Sequence, residues 1–193
     1  MTNKPLAPSP DCSIGVRAVG RRAVVGAAAS LFLIAALGRA AHAAPAPERR
    51  LSLYNPHTDE RFDDVYWSQG TYVDASLRRV DWLMRDFHRD RVAPIDRDLL
   101  DLLHRIGEKL DCRRPFDVLS GYRTATTNRL LRREGFATAA HSEHLVGKAA
   151  DIRVEKVQLK HVRRAALSLR AGGVGTYWAD QFVHVDVGPV RTW

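Results

Sequence analysis

Apolar positions recur along the chain with two different periods, and the change of period predicts the elements. Leu77, Val80, Leu83, Met84 and Phe87 fall at intervals of three and four, the spacing that collects side chains on one face of a helix. Residues 76–87 are therefore predicted to be helical, with Asp74 as the N-cap. A second helix is predicted after Asp96, another N-cap, where Leu99, Leu100, Leu102, Leu103, Ile106 and Leu110 form a wide apolar face. Residues 127–134 read as helical up to Gly135. Residues 157–169 do so up to Gly172 and Gly173, glycines being able to end a helix without a Cβ penalty.

Other segments are too short for helices and alternate or run apolar, as strands do. Residues 50–54 are one, broken by Asn55-Pro56, with 61–67 as a hairpin partner; 116–119, 149–154, 174–178 and 182–187 are the others. With helices early and strands mostly late, the pattern predicts an α+β fold. A chain of 193 residues has room for one such domain and a short appendage, and the domain is placed at residues 50–193.

The appendage has a pattern of its own. Arg21-Arg22 precede fourteen uncharged residues, 24–37, too few to span a bilayer, which takes about 20. Arg39 and the small-x-small run Ala41-His42-Ala43 follow, so residues 1–43 are expected to be a signal peptide, with the paired arginines resembling a twin-arginine export signal. Residues 44–49, rich in Pro and Ala, are the expected linker. The protein is thus expected in the periplasm or cell envelope, with no membrane span once the leader is removed. Cleavage would also separate Cys12 from Cys112 and leave a lone thiol.

The net charge of +8 changes meaning once the leader is set aside. Residues 1–43 hold five Lys or Arg and one Asp, leaving 25 basic against 21 acidic side chains. That mild excess suits an anionic wall polymer better than a nucleic acid, for which the chain carries no motif.

Seven histidines lie beyond residue 43, and three stand in suggestive company. His141-Ser142-Glu143-His144 is followed by Gly147 and Asp151, and His184-Val185-Asp186 lies in an apolar segment thirty-three residues further on. A hydrolytic zinc ion takes three ligands from imidazole and carboxylate and keeps a fourth position for water. His144, Asp151 and His184 meet that count, with the chain turning at Gly147 and re-entering as a strand that carries Asp151. A polar loop beside a solvated strand end is the other reading of the same residues. Histidine and carboxylate ligands favour zinc without excluding manganese or cobalt.

The pattern Ser142-x-His144-x-x-Gly147-x-Ala149-x-Asp151, with a later His184 and an upstream Ser120-Gly121-Tyr122-Arg123, resembles the D-Ala-D-Ala carboxypeptidase and murein endopeptidase family of zinc peptidases. The likeness runs over about residues 50–193 and is closest to the murein endopeptidase K branch. It implies a hedgehog/DD-peptidase-like fold, with a central mainly antiparallel sheet and flanking helices. It also implies one Zn2+ held by His144, Asp151 and His184, and peptidoglycan stem peptides as substrate, cut through a metal-bound water. Arg123 matches an arginine near the family's site, where a guanidinium grips a carboxylate with two hydrogen bonds, although a salt bridge to Asp151 is an alternative. Ser142 is expected as a hydroxyl beside the ligands and the substrate rather than a nucleophile.

The sequence departs from the wider family at the general base. Many relatives carry an acid three residues before the second zinc histidine, where this chain has Gln181, which takes no proton at neutral pH. Asp186 is the expected substitute, since it lies two residues beyond His184 on one strand face. Orienting the His184 imidazole is its other reading. Glu143 and His141 are weaker candidates. The missing acid keeps two further functions in view, a D,D- or L,D-carboxypeptidase acting on stem peptides and a non-catalytic zinc-containing peptidoglycan-binding module. Oligomeric state is not legible.

Overall fold

A computed structural model describes residues 47–136 and 138–193; the expected signal peptide and the first part of the linker lie outside the described residues. The elements run β1 (Glu48–Asn55), β2 (Glu60–Ser68), β3 (Thr71–Tyr72), α1 (Asp74–Leu83), α2 (Arg97–Leu110), β4 (Phe116–Ser120) and α3 (Ala125–Arg133). A single 3-10 turn, Glu143–Val146, then leads into β5 (Ala149–Val154), α4 (Leu159–Leu169), β6 (Gly173–Tyr177), β7 (Phe182–Asp186) and β8 (Arg191–Thr192).

All eight strands join one sheet in the order β3-β2-β1-β4-β5-β7-β6-β8. Neighbours are antiparallel except β1 with β4 and β6 with β8, so the expected α+β fold with a mainly antiparallel sheet is what forms. No helix among the described residues is long and apolar enough to cross a membrane. The sheet begins at Glu48, two residues inside the expected linker.

Alternation along the central strands sorts side chains onto two faces. Ala150, Ile152 and Val154 on β5 and Val183 and Val185 on β7 join the hydrophobic core. There they meet Leu99, Leu100, Leu103 and Ile106 of α2 and Val162, Ala165 and Ala166 of α4, the two helices that pack together over this side of the sheet. Asp151, His184 and Asp186 occupy the intervening positions and face the other way, yet all three are buried. Each core side chain such as Ile152 stabilises by about 1.5–3 kcal/mol on burial. A one-residue slip would put these apolar groups where the polar ones now stand, so the core enforces the register that the site uses.

Two expectations are corrected. The first helix begins at Asp74, after an extended Val73 with no side-chain cap, and ends at Leu83 rather than Phe87. It stops because the Met84 carbonyl accepts from Tyr122 N–H at 2.8 Å and the His88 N–H turns to Asp86 Oδ1, so the next helical hydrogen bonds are not made. The fourth helix ends on Arg170 in the left-handed region (φ 48°), while the glycines that follow pack against Asp186 and open β6. By contrast Asp96 caps α2 as expected, its side chain accepting from Asp98 N–H.

Ile152 is fully buried between the sheet and its helices. Ile152→Ala is expected to lower the unfolding free energy by about 2–5 kcal/mol, read by urea denaturation. A change under about 1 kcal/mol would contradict its place in the core.

Candidate metal centre

The β5–β7 register sets Asp151 directly opposite His184, and β4 sets Ser120 against Asp151 from the other side. Directly opposed residues share a face with Cβ atoms about 4.5–5.5 Å apart, so the sheet by itself brings a carboxylate and an imidazole together. A third donor has to come from outside the sheet.

His144 arrives on the 3-10 turn that precedes β5. Ser142 caps that turn, its hydroxyl accepting from His144 N–H at 3.4 Å, and Gly147 ends it at φ 70°. A Cβ at Gly147 would run into the Pro94 carbonyl oxygen, and the Gly147 carbonyl accepts from Asp96 N–H at 3.0 Å, so turn and α2 cap lock together. The chain thereby folds back and lays the His144 ring over the sheet.

The ring's orientation is set by the hydrogen bond of its Nδ1–H to the Gly121 carbonyl at 2.6 Å. That leaves Nε2 at 3.3 Å from Asp151 Oδ1 and 3.2 Å from His184 Nδ1, while His184 Nδ1 and Asp151 Oδ1 are 2.9 Å apart. A tetrahedral zinc with ligands at about 2.0–2.1 Å separates its donors by roughly 3.3 Å, close to this triangle. Two imidazole nitrogens and one carboxylate oxygen are the donor set of a hydrolytic zinc site, and each has an outer partner that aims it. His144 leans on Gly121, Asp151 Oδ2 accepts from Arg123 Nη2 at 2.7 Å, and His184 Nε2–H donates to Asp186 Oδ2 at 3.0 Å. The residues present fit the ion.

Arg123 is itself held by three consecutive main-chain hydrogen bonds. Tyr122 N–H goes to Met84 O, Arg123 N–H to His144 O, and Thr124 N–H to Asp86 Oδ2, where Asp86 is buried. Its Nε donates to Ser120 Oγ at 2.9 Å, and Thr124 caps α3.

The electrostatics follow from burial working against pairing. Burial disfavours a charged Asp151, but the charges and hydrogen bonds of His144 and His184 outweigh it and hold the carboxyl well below the usual range. Burial pushes His144 down. It would do the same to His184, but hydrogen bonds to Asp151 and Asp186 raise that imidazole to about 9. Asp186, against its own burial, is held at about 2 by His184 and by the N–H groups of Gly173 and Gly188.

The sequence-expected residues divide by surroundings. His144, Asp151 and His184 converge, and Arg123 touches Asp151 rather than standing apart. Ser142, Glu143 and His141 line the open side of the site. Asp186 is fully buried and accepts from His184, Arg191, Gly173 and Gly188. Gln181 sits at φ 57° in the β6–β7 turn, its amide donating to the Trp178 carbonyl. Sequence reasoning missed Arg191 and the Gly121 carbonyl, for neither of which spacing offers a signal.

The site forms part of the floor of a cleft of about 620 Å³. Its walls run across the sheet from His57, Phe87 and His88 beside β1 to Tyr177 and Trp193 beside β6 and β8. A separate concavity of about 720 Å³, lined by Arg49, Trp67 and Asp101, gathers none of the metal-binding residues.

With that geometry in place, the sequence comparisons are decisive. Residues 43–193 match the family described as Peptidoglycan L,D-endopeptidase MepK. The chain belongs to that family. It is 39% identical over 145 residues to the peptidoglycan L,D-endopeptidase MepK of Escherichia coli K12, covering 75% of this chain and 80% of that protein. It is 40% identical over 146 residues to a protein of Haemophilus influenzae named "Probable peptidoglycan L,D-endopeptidase MepK", covering 75% and 78%. No solved structure matches the chain significantly. Membership makes the chain a zinc-dependent peptidase, and the His-Asp-His group is its candidate metal site.

A folded-state value above the ordinary 6.5 means that His184 stabilises the metal-free fold fully below about pH 6.5 and loses that contribution as pH rises through about 9. Urea unfolding of metal-free protein is expected to show this decline, and zinc-loaded protein, with a cation in place of the proton, to lack it. A flat profile for the metal-free form would contradict the placing of His184 between two carboxylates.

Proposed function

We propose that this chain hydrolyses peptide cross-links of peptidoglycan as an L,D-endopeptidase of the periplasm, with His144 Nε2, Asp151 Oδ1 and His184 Nδ1 holding one zinc ion. The reading rests on one observation above all, the convergence of these three donors among the residues that line a cleft reaching from His57 and Phe87 to Tyr177 and Trp193. Zinc with such ligands supplies a Lewis acid that polarises a peptide carbonyl and lowers the pKa of water toward about 7. The match to relatives named L,D-endopeptidases favours an enzyme that cuts within a cross-link over a carboxypeptidase.

The chain's own residues take the remaining roles. Arg123 commits Nη2 to Asp151 and Nε to Ser120, while Nη1 makes no hydrogen bond among the described residues. That nitrogen is assigned to a substrate carboxylate, abundant in stem peptides, and the Ser142 hydroxyl to a neighbouring polar group. Asp186, the base expected from strand spacing, has no open side toward the cleft and is assigned instead to orienting His184. Proton acceptance goes to Glu143, which lines the cleft on the turn that carries His144. Residues 1–43 are read as the export signal and 44–49 as the linker, with the peptidase domain over 50–193.

Incubating the protein with purified sacculi, with zinc and after chelation, and identifying the released muropeptides by mass spectrometry tests the reading. Metal-dependent loss of cross-linked dimers is expected, and His144→Ala should abolish both zinc binding and release. Tight zinc binding with no bond cut under any condition would overturn it.

Two variants separate the roles. Glu143→Gln is expected to lower kcat by about 10²–10⁴-fold with zinc affinity unchanged. Asp186→Asn is expected to weaken zinc binding by about 10–100-fold. The reverse pattern would return the base to Asp186.

A further inference from the structure

The two residues on either side of Thr192 reach the metal site from an edge strand that supplies no ligand. Arg191 Nη2 donates to Asp186 Oδ2 at 2.8 Å and Nη1 lies 3.3 Å from Oδ1 of the same carboxylate, a two-pronged grip on the group that receives the His184 Nε2–H. Trp193 comes from the other direction. Its ring centre lies 5.3 Å from that of His184, its indole N–H donates to Tyr177 Oη at 3.1 Å, and its main chain pairs with Val174 and Thr176. The Arg191 guanidinium also stands 5.2 Å over the indole, so the two side chains brace each other.

The β6 strand is shaped to receive them. Gly173 and Gly175 are two apart and so share a face, and Gly175 lies opposite His184. A Cβ on Gly173 would collide with Asp186 Oδ2 and crowd the Arg191 guanidinium, and one on Gly175 would strike the Trp193 indole. The bare strand leaves one seat for the Asp186–Arg191 pair and another for the indole, both against the same imidazole.

We propose that Arg191 and Trp193 are positioning residues that fix the His184 imidazole in its metal-binding orientation, Arg191 through Asp186 and Trp193 by packing over Gly175 beside the ring. The inference rests on the zinc reading above. An imidazole on a strand can turn about χ1 and χ2, and it ligates well only when its far nitrogen and its ring face are both constrained. Asp186 constrains the nitrogen, and Arg191 stops that carboxylate from rotating away. Trp193 constrains the face.

Arg191→Gln and Gly175→Ala test it, the second displacing the indole without touching a charge. Zinc affinity by chelator competition is expected to fall about 10–100-fold in Arg191→Gln, with a smaller fall in Gly175→Ala. The visible spectrum of cobalt-substituted protein should change band position or intensity in both, and Trp193→Phe should keep more affinity than Trp193→Ala. Circular dichroism of the metal-free variants should match wild type and their urea unfolding should stay cooperative, with a lower midpoint in Arg191→Gln because buried Asp186 loses a partner, while Arg191 and Trp193 themselves are about half exposed. Zinc affinity within about twofold of wild type in both variants would overturn the proposal. So would a loss of zinc accompanied by loss of the metal-free fold, since the arm would then be merely structural. A wild-type protein that binds no zinc refutes the zinc reading itself and is told apart by that control.

Discussion

The pairing of β5 with β7 in the register that sets Asp151 opposite His184 is the constraint on which the rest of this structure depends. Everything else at the site is added to that pair. The 3-10 turn brings His144 over it, Arg123 steadies the outer oxygen of Asp151, and Asp186 receives the far nitrogen of His184. The register is maintained from the opposite face, where Ile152, Val183 and Val185 pack under α2 and α4. Core and chemistry are two sides of the same strands, and the hydrophobic effect on one side aligns ligands on the other.

Burying two carboxylates and two imidazoles costs several kcal/mol per ion unless each charge meets a partner. Here charges alternate, with Arg123 against Asp151, His184 between Asp151 and Asp186, and Arg191 against Asp186. In the metal-free fold His184 Nδ1 faces Asp151 Oδ1 at 2.9 Å while its Nε2–H donates to Asp186, so a proton on Nδ1 has a carboxylate to receive it. A divalent cation brought to the three donors replaces that proton, so metal affinity and proton release are tied together.

Much of this was legible in the sequence, for reasons particular elements make plain. The alternation in β5 and β7 announced both the core face and the polar face, and Gly147 between His144 and Asp151 announced a turn that brings the histidine back. Asp186 could be placed on the face of His184 by spacing, but its partners could not. They depend on β8, a two-residue strand with no period to read, and on glycines whose value lies in what fills the space above them. Phe87 shows the converse. Its spacing continued the α1 pattern, yet Tyr122 and Asp86 draw the backbone out of the helix and place the ring against His57 in the cleft wall, a tertiary demand that overrides local periodicity. Export was an expectation from the pattern of residues 1–43 and substrate one from family likeness, and neither has a counterpart in the packing.

Zinc K-edge absorption spectroscopy on zinc-loaded protein addresses the central claim most directly. The account predicts a first shell of nitrogen and oxygen at about 2.0–2.1 Å, with outer-ring scattering from two imidazoles that falls to one in His184→Ala and no sulfur. A shell containing sulfur, or an imidazole signal unchanged by His184→Ala, would contradict it.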